Sequence, residues 1–551
     1  MDEQWWKKAT VYEIYPKSFH DTTGSGTGDI QGIIQKLDYV KELGVDVIWL
    51  TPVYRSPQKD NGYDISNYYE IEPFYGSMAD FEELLTETHN RGMKLIMDLV
   101  INHTSTEHEW FQEAISSKDS PYRDFYIWKD PASDGGPPNN WESKFGGSAW
   151  EYDAQSKQYY LHLFDKTQAD LNWENPTLRE EVYKVIRFWA EKGIDGFRLD
   201  VINLISKNQQ FPHDDVGDGR RFYTDGPRIH EYLNEINQTV FKPYNMMTVG
   251  EMSSTTLENC ILYTRPNRDE LDMTFQFHHL KVDYPNGEKW TKAPFDFGKL
   301  KEILTHWQVG MHDGGGWNAL FWCNHDQPRV VSRFGDDEHY HVESAKMLAT
   351  NLHMMQGTPY IFQGEEIGMT NPNFSSIEKY RDVESLNAYT NLKQQGMTEK
   401  EVLDILQQKS RDNARTPMQW SAAENGGFTK GTPWIPIADN YPDINAETVI
   451  ADPKSTFHYY KQLITLRKKY DIITNGDFQI LQQDHQQVFA YIRSWEGKKL
   501  VVISNFYAEP ANFSVSLQGK PEILLSNYPD SANKFGAIRL RPYESIVYYL
   551  E

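Results

Sequence analysis

Cysteine is almost missing from this chain: Cys260 and Cys323 are the two it has in 551 residues. A disulfide framework is therefore excluded as the main source of stability, and a cysteine-built metal centre is not expected. Both thiols read as buried and free. Positive charge is also scarce. Lys and Arg number 55 against 79 Asp and Glu, which leaves a formal net charge of −24. A surface of that sign repels nucleic-acid backbones and anionic lipids, so neither is an expected partner. A small anionic ligand would need a local cluster of Lys, Arg or His. No run of about 18 uncharged apolar residues occurs, so no membrane-spanning helix is expected. Residues 1–15 carry charges and Trp without a long apolar stretch, which does not read as a signal peptide. These absences lead to the expectation of a cytoplasmic protein.

What the chain does have is length and rings. At 551 residues, two or three domains are expected. Aromatics make up 14% of the residues, much of which ordinary core accounts for, though an enzyme that stacks rings on sugar faces would carry such an excess as well.

Along the chain, short β-rich runs alternate with amphipathic helical stretches. Residues 9–15, 45–50, 95–101, 194–199, 247–249, 271–277, 319–323 and 360–362 read as strands. Between them lie helical patterns such as Ile30, Ile33, Ile34, Leu37, Val40 and Leu43, closed by Gly44. Others start at Ser77 and Pro176 or span 297–307 and 342–355, and 455–470 would be the last. Eight repeated βα units predict a parallel (β/α)8 TIM barrel. The alternation breaks at 104–171, which is rich in Trp, Tyr, Pro and Gly and too long for an idle loop, so it reads as an inserted domain after the third strand. The barrel is thus expected over 1–103 and 172–471, with a smaller subdomain at about 371–425. From 472 to 551 the helical pattern stops, and an all-β sandwich domain is expected.

In such a barrel the catalytic groups stand at the C-terminal ends of the strands. Asp200, Glu251 and Asp326 end three separate predicted strands, with Asn102-His103 and His325 at similar places. One acid at a strand end is more often a helix cap than a catalyst. Three on one rim repel each other, a cost that a site using their different pKa values would justify. Glycoside hydrolysis needs such a set: one carboxylate attacks the anomeric carbon while another, kept protonated, serves the leaving oxygen. Arg198 lies two residues before Asp200 and so on the same face of its strand, where it would keep Asp200 ionised. Glu251 has no cation beside it in sequence, which fits a raised pKa.

The ordered segments Asp98-Leu-Val-Ile-Asn-His103, Gly196-Phe-Arg-Leu-Asp-Val201, Val249-Gly-Glu251 and Asn324-His-Asp326 resemble the four signature regions of the α-amylase superfamily of glycoside hydrolases. Gln168-Ala-Asp-Leu-Asn172, residues 44–52 and residues 357–365 are similar to its secondary regions. The resemblance covers essentially the whole chain. It implies Asp200 as nucleophile, Glu251 as acid/base and Asp326 as the transition-state carboxylate. It further implies His103 and His325 as ligands of glucosyl hydroxyls, and Tyr63 as the platform under that ring. Asp64 with Arg415 would close the non-reducing end, making an exo-acting, retaining α-glucosidase. Asn61-Gly-Tyr-Asp64 and Val201 resemble the oligo-1,6-glucosidase subfamily.

Within that subfamily, the run from His278 to Trp290 and Gln168-Ala-Asp170 resemble members that cleave a phosphorylated disaccharide, α,α-trehalose 6-phosphate. A phosphate on the leaving glucose needs cations beside the acceptor subsite, and His278, Lys281, Lys289 and Lys292 would supply them. The rivals are a solvated basic patch on an enzyme for neutral isomalto-oligosaccharides, and a glucosyl-transferring, sucrose isomerase-like enzyme. A non-catalytic relative is disfavoured because all three acids are present. Catalysis is expected to need no cofactor. Asp21 and Asp29 stand where relatives have a calcium loop, so one weak structural Ca²⁺ is an expectation. The expected partner is the sugar phosphate alone, bound by a monomer.

Overall fold

The structure, a computed structural model, describes residues 4–551. Residues 1–3, the start of the first barrel segment and of the stretch read as lacking a leader, lie outside the described residues.

Eight short runs of buried, mostly apolar residues form a parallel sheet: β1 Val11–Ile14, β2 Val47–Leu50, β3 Lys94–Leu99, β4 Gly196–Leu199, β5 Met247–Glu251, β6 Met273–Phe275, β7 Ala319–Leu320 and β8 Thr358–Phe362. Burial on both faces is what lets such strands be apolar without alternation. The strand order runs β6-β5-β4-β3-β2-β1-β8-β7, and a parallel bridge from Thr274 to Asn318 brings β6 to β7 and closes the barrel. The expected barrel is present. Strands β6 and β7 are shorter than the apolar runs that predicted them, because the half-buried Phe277 and the buried Phe321 and Cys323 continue into the rim loops as packing residues rather than ladder partners.

The helices show the local rules that made them readable. Asp29 caps Ile30–Leu43 by accepting from the Gly32 N–H at 2.6 Å, and Gly44 ends it at φ 99°. Ile30, Ile33, Leu37, Val40 and Leu43 are its buried stripe. Ser77 and Asp80 make a reciprocal capping box on Met78–Asn90. The helix expected over 297–307 continues to Gly314, carrying Met311 into the core.

Between His103 and Asp170 the chain leaves the barrel and builds a three-stranded sheet of Trp128–Lys129, Gln158–Leu161 and Trp150–Asp153. Its own small core, with Trp141, Trp150 and Leu161, also takes in Val201 and Phe211 from the barrel side. Helices Val383–Gln394 and Glu399–Lys409 form the second excursion, around Leu392, Val402 and Leu406. The C-terminal region is a five-stranded antiparallel sheet with a two-stranded ladder, Ala511–Val515 with Gly536–Leu540, over one face. Val488, Ala490, Ile503 and Tyr548 face that ladder. Phe489, Tyr491, Val502 and Val547 face the barrel, as the period of two in each strand requires. Arg493 locks the junction by donating to the carbonyls of Met354, at 2.7 Å, and Ile473, at 3.0 Å. Cys260 and Cys323 are buried and free. Among the described residues, no helix is long and apolar enough to cross a membrane.

Candidate active site

Strand register brings the acids together. Arg198 on β4 is the direct Cα partner of Asp98 on β3 and of Val249 on β5. The side chains of Arg198 and Asp98 therefore share a face, and the residues that follow, Asp200 and Glu251, emerge side by side at the rim. The buried Arg198 guanidinium holds three carboxylates. Its Nη1 donates to Asp98 at 2.6 Å and to Asp200 at 2.7 Å, and its Nη2 donates to Glu251 at 2.5 Å. Asp200 also lies within hydrogen-bonding reach of Glu251. Contact of this kind belongs with the close carboxylate spacing of retaining enzymes, about 5–5.5 Å, rather than the wider gap of inverting ones.

Two electrostatic expectations need correction. Glu251 does have a cation, Arg198, brought by the fold rather than by sequence proximity. Its carboxyl is nonetheless pushed up to about 7, because burial and then the charges of Asp200 and Asp326 outweigh the guanidinium. Arg198 does not keep Asp200 in the ordinary range either. Burial raises it to about 6, with Asp98 adding repulsion. The two groups share what amounts to one proton near neutrality, the charge state a nucleophile and an acid need together.

Val201, directly after Asp200, sits at φ 38°, a region that β-branched residues avoid. Its N–H donates to Glu251 at 3.1 Å. This strained turn thus orients Glu251 while presenting Asp200 beside it.

Asp326 completes the set. It is held ionised, well below the usual range: burial opposes this, but His325, Arg411 and Arg415 prevail. Arg415 donates to it at 2.6 Å. Burial alone would lower the His325 imidazole, yet Asp326 and Glu13 raise it to about 10, and its Nδ1 contacts Glu13 at 2.5 Å. Its ring lies parallel to Tyr63, with centroids 5.1 Å apart. Tyr63 donates to Asp98 at 3.0 Å, which fixes the platform's tilt. His103 is buried and neutral, and its Nε2 faces the Tyr63 carbonyl at 3.1 Å. A sugar hydroxyl reaching His103 would share that nitrogen.

Asp200, Glu251, Asp326, Tyr63 and His103 line one cavity of about 420 Å³. Asp64 and Arg415 do not, and the pair expected of them is not formed. The Asp64 carboxylate is turned inward, accepting from the N–H groups of Lys59 at 2.8 Å and Asp60 at 3.1 Å and from the Ser56 hydroxyl at 2.9 Å. It folds the loop that projects Asp60 instead. Asp60 and Arg411 are the lining residues, paired at 3.0 Å, with Gln168 also donating to Asp60 at 3.0 Å. Arg415 stands behind Asp326, donating to the His325 carbonyl at 2.9 Å. The sequence reading missed Asp60 and Arg411, although each lies four residues from the one chosen. It also passed over Asp98, the first residue of a motif it did recognise.

On the acceptor side, Lys281 and Lys289 line the cavity. Lys289 is paired with Glu384 at 2.6 Å. The other two expected cations are elsewhere. His278 packs on Trp307 and points its Nε2 at the Thr255 carbonyl at 3.0 Å; burial, then Lys281, hold it down at about 4, so it brings no charge. Lys292 lines neighbouring cavities, and its nearest acid is Asp404 at 3.8 Å. Two cations that sequence did not suggest are present instead, Lys144 from the inserted domain and Arg220 from the loop after β4. Neither sits in a recognisable pattern.

The proposed calcium loop does not fit a metal. Asp21 accepts from the N–H groups of Thr23, Gly24 and Gly26 and from the Thr429 hydroxyl. Asp29 accepts from Thr22 and Gly32 N–H. Both carboxylates are spent on folding the loop. Among the described residues no group of three or more His, Cys, Asp or Glu could hold a metal ion.

A closed parallel barrel with three carboxylates gathered on its C-terminal rim, two of them raised by burial, is the arrangement of a glycoside hydrolase. Residues 13–476 match the family described as the α-amylase catalytic domain, and residues 488–547 match the C-terminal domain of the α-amylase SusG. The chain belongs to the α-amylase family of glycoside hydrolases. It is 66% identical to the trehalose-6-phosphate hydrolase of Bacillus subtilis strain 168, over 99% of this chain and 98% of that one. It is 54% identical to the oligo-1,6-glucosidase of Parageobacillus thermoglucosidasius, over 100% and 99%. The crystal structure of the Bacillus licheniformis trehalose-6-phosphate hydrolase superposes with a TM-score of 0.96 at 64% identity, covering 99% of each chain. The resemblance read from the motifs, and the fold it implied, are borne out.

Proposed function

We propose that this chain is a retaining, exo-acting α-glucosidase that hydrolyses α,α-trehalose 6-phosphate to glucose and glucose 6-phosphate. The observation that carries the reading is the cation cluster beside the catalytic pair. In a protein of net charge −24, Lys144, Arg220, Lys281 and Lys289 gather at the acceptor side of one cavity. Lys144 and Lys281 have no acid within ion-pair distance among the described residues. Likeness to the two trehalose-6-phosphate hydrolases supports the same substrate.

The unphosphorylated glucosyl ring would lie on Tyr63, its far end closed by Asp60 and Arg411. Glu251 gives its proton to the bridging oxygen as Asp200 attacks the anomeric carbon. Glucose 6-phosphate leaves, and a β-glucosyl ester remains on Asp200. Water, deprotonated by Glu251, then attacks the same carbon and frees glucose with net retention. Asp326, held ionised by His325 and Arg415, stabilises the developing positive charge and accepts from a ring hydroxyl. No step calls for a metal or an organic cofactor. The reading includes a cytoplasmic location, because a sugar phosphate does not diffuse across a bilayer, and it takes the enzyme as a monomer.

The test is initial rates on trehalose 6-phosphate, trehalose and isomaltose under matched conditions. A preference of roughly 10²-fold for the phosphorylated sugar, about 2.7 kcal/mol, is expected from charge-assisted contacts. Equal or faster turnover of isomaltose would reassign the enzyme to neutral oligosaccharides and leave the cluster as solvated surface.

A further inference from the structure

Lys144 and Phe145 are neighbours in the inserted domain, and they serve opposite halves of the cavity. Lys144 stands with Arg220 and Lys281 on the acceptor side. The Phe145 ring lies over the Arg411 guanidinium, 4.8 Å from its centroid, on the glucosyl side. It also packs on Phe164 at 5.5 Å, and Phe164 packs on His103 at 5.1 Å.

The segment carrying both is a tight turn. Ser143 N–H donates to the Gly147 carbonyl at 2.9 Å, and Gly146 N–H donates to the Ser143 carbonyl at 3.0 Å. Gly146 and Gly147 hold φ of 95° and 79°, conformations only glycine adopts freely. Lys144 N–H ties the turn to the Leu163 carbonyl at 2.8 Å. From the helix Val383–Gln394, Asn387 donates to the Phe145 carbonyl at 3.1 Å. Behind the turn lies a second cavity of about 910 Å³, which shares Lys144, Phe145, Arg220 and Glu384 with the first. The turn is held at its edges, and its Lys144 and Phe145 line both cavities.

We propose that Lys144 is a positioning residue: by taking the substrate's phosphate together with Arg220 and Lys281, it holds Phe145 in its place against Arg411 and steadies the glucosyl subsite. The inference rests on the phosphorylated-substrate reading above. It adds that the phosphate acts on turnover as well as on binding, through one peptide link. Remote binding energy used in this way appears in kcat rather than in KM alone. The charges agree. Burial brings the Lys144 ammonium down to about 7, with Arg220 and Lys281 acting the same way and Asp218 and Glu251 opposing. A dianion among these groups restores the cation and holds it in place.

The test splits the substrate in two. α-Glucosyl fluoride loses a small leaving group and leaves the acceptor side empty, so inorganic phosphate can be added separately. In the wild type, saturating phosphate should raise kcat for the fluoride by about fivefold or more. Lys144→Met should abolish the rise, and Lys144→Arg should keep it. Lys281→Ala should demand more phosphate but reach a similar plateau. No rise in the wild type, or a full rise in Lys144→Met, overturns the proposal. The kinetics of trehalose 6-phosphate against trehalose separate this from the parent reading. A wild type without preference for the phosphorylated sugar defeats that reading, whereas a preference carried wholly in KM defeats the Lys144 coupling alone.

Discussion

Asp60 and Arg411 meet at 3.0 Å across the closed end of the cavity, although 351 positions separate them in the chain. Arg411 simultaneously contacts Asp382 at 2.5 Å and Asp326 at 3.4 Å. It needs a planar fork to do so. Arg411→Lys should lower kcat/KM about 10²-fold, mostly through KM, since a point charge cannot satisfy three carboxylates. Asp64→Ala should behave differently. It leaves buried N–H groups of the loop unpaired, costing about 1–3 kcal/mol, seen in the melting temperature. If Asp64→Ala instead raised KM without loss of stability, Asp64 would have to face the sugar after all.

Asp200→Asn should lower kcat by about 10³-fold or more while the protein still folds, because the covalent ester cannot form. Circular dichroism and rates on an activated aryl α-glucoside check both halves. Substantial turnover by Asp200→Asn would require a different nucleophile.

The shared proton sets the pH dependence. Asp200 must be ionised and Glu251 protonated. With apparent values of about 6 and about 7, kcat/KM should trace a bell with its maximum between them. Glu251→Gln, assayed on α-glucosyl fluoride, should lose the alkaline limb. The same values have a consequence for stability. Both folded values lie above the unfolded ones, so the contribution is fully present at low pH and is lost as pH rises through 6 and 7. The melting temperature of Glu251→Gln relative to wild type should therefore increase from pH 5 to pH 8. A constant difference would mean that Glu251 is not held protonated.

Calcium should have no effect. Asp21 and Asp29 are committed to N–H and hydroxyl donors, so neither a chelator nor added Ca²⁺ should shift activity or the melting temperature by a measurable amount. Asp21→Ala should still destabilise the protein, because three amides lose their acceptor. Calcium-dependent melting would show that the loop rearranges to bind the ion.

Among the cations predicted from sequence, Lys281→Ala should reduce the preference for the phosphorylated sugar by about tenfold. Lys292→Ala should leave that preference within about twofold, since Lys292 is exposed, its nearest acid is Asp404 at 3.8 Å, and such pairs contribute little. Measuring the ratio of rates on trehalose 6-phosphate and trehalose in both variants decides which lysine faces the phosphate.

Much of the fold was legible because it rests on short-range rules. The stripe from Ile30 to Leu43, the cap at Ser77 and the stop at Gly44 are each decided within one or two helical turns. Strand ends followed from the apolar runs, and so the placement of Asp200, Glu251 and Asp326 at one rim could be read as well. Strands β6 and β7 were overextended, since hydrophobicity does not distinguish a ladder residue from a buried loop residue such as Phe321.

The sequence by itself determined the alternation of strand and helix, the residue types available at the rim and the family to which they belong. Only the tertiary structure decided which of them act together. Asp60 rather than Asp64 faces the cavity because Ser56 and two backbone amides draw Asp64 inward. Glu251 gains a cation because the register of β3, β4 and β5 sets Arg198 between three carboxylates. Lys144 and Arg220 reach the acceptor side because an inserted domain and a loop fold over the rim, while His278 is lost to a carbonyl and Lys292 to a neighbouring cavity. Side-chain direction in such loops is set by hydrogen bonds to distant parts of the chain, and those partners leave no local trace in the sequence.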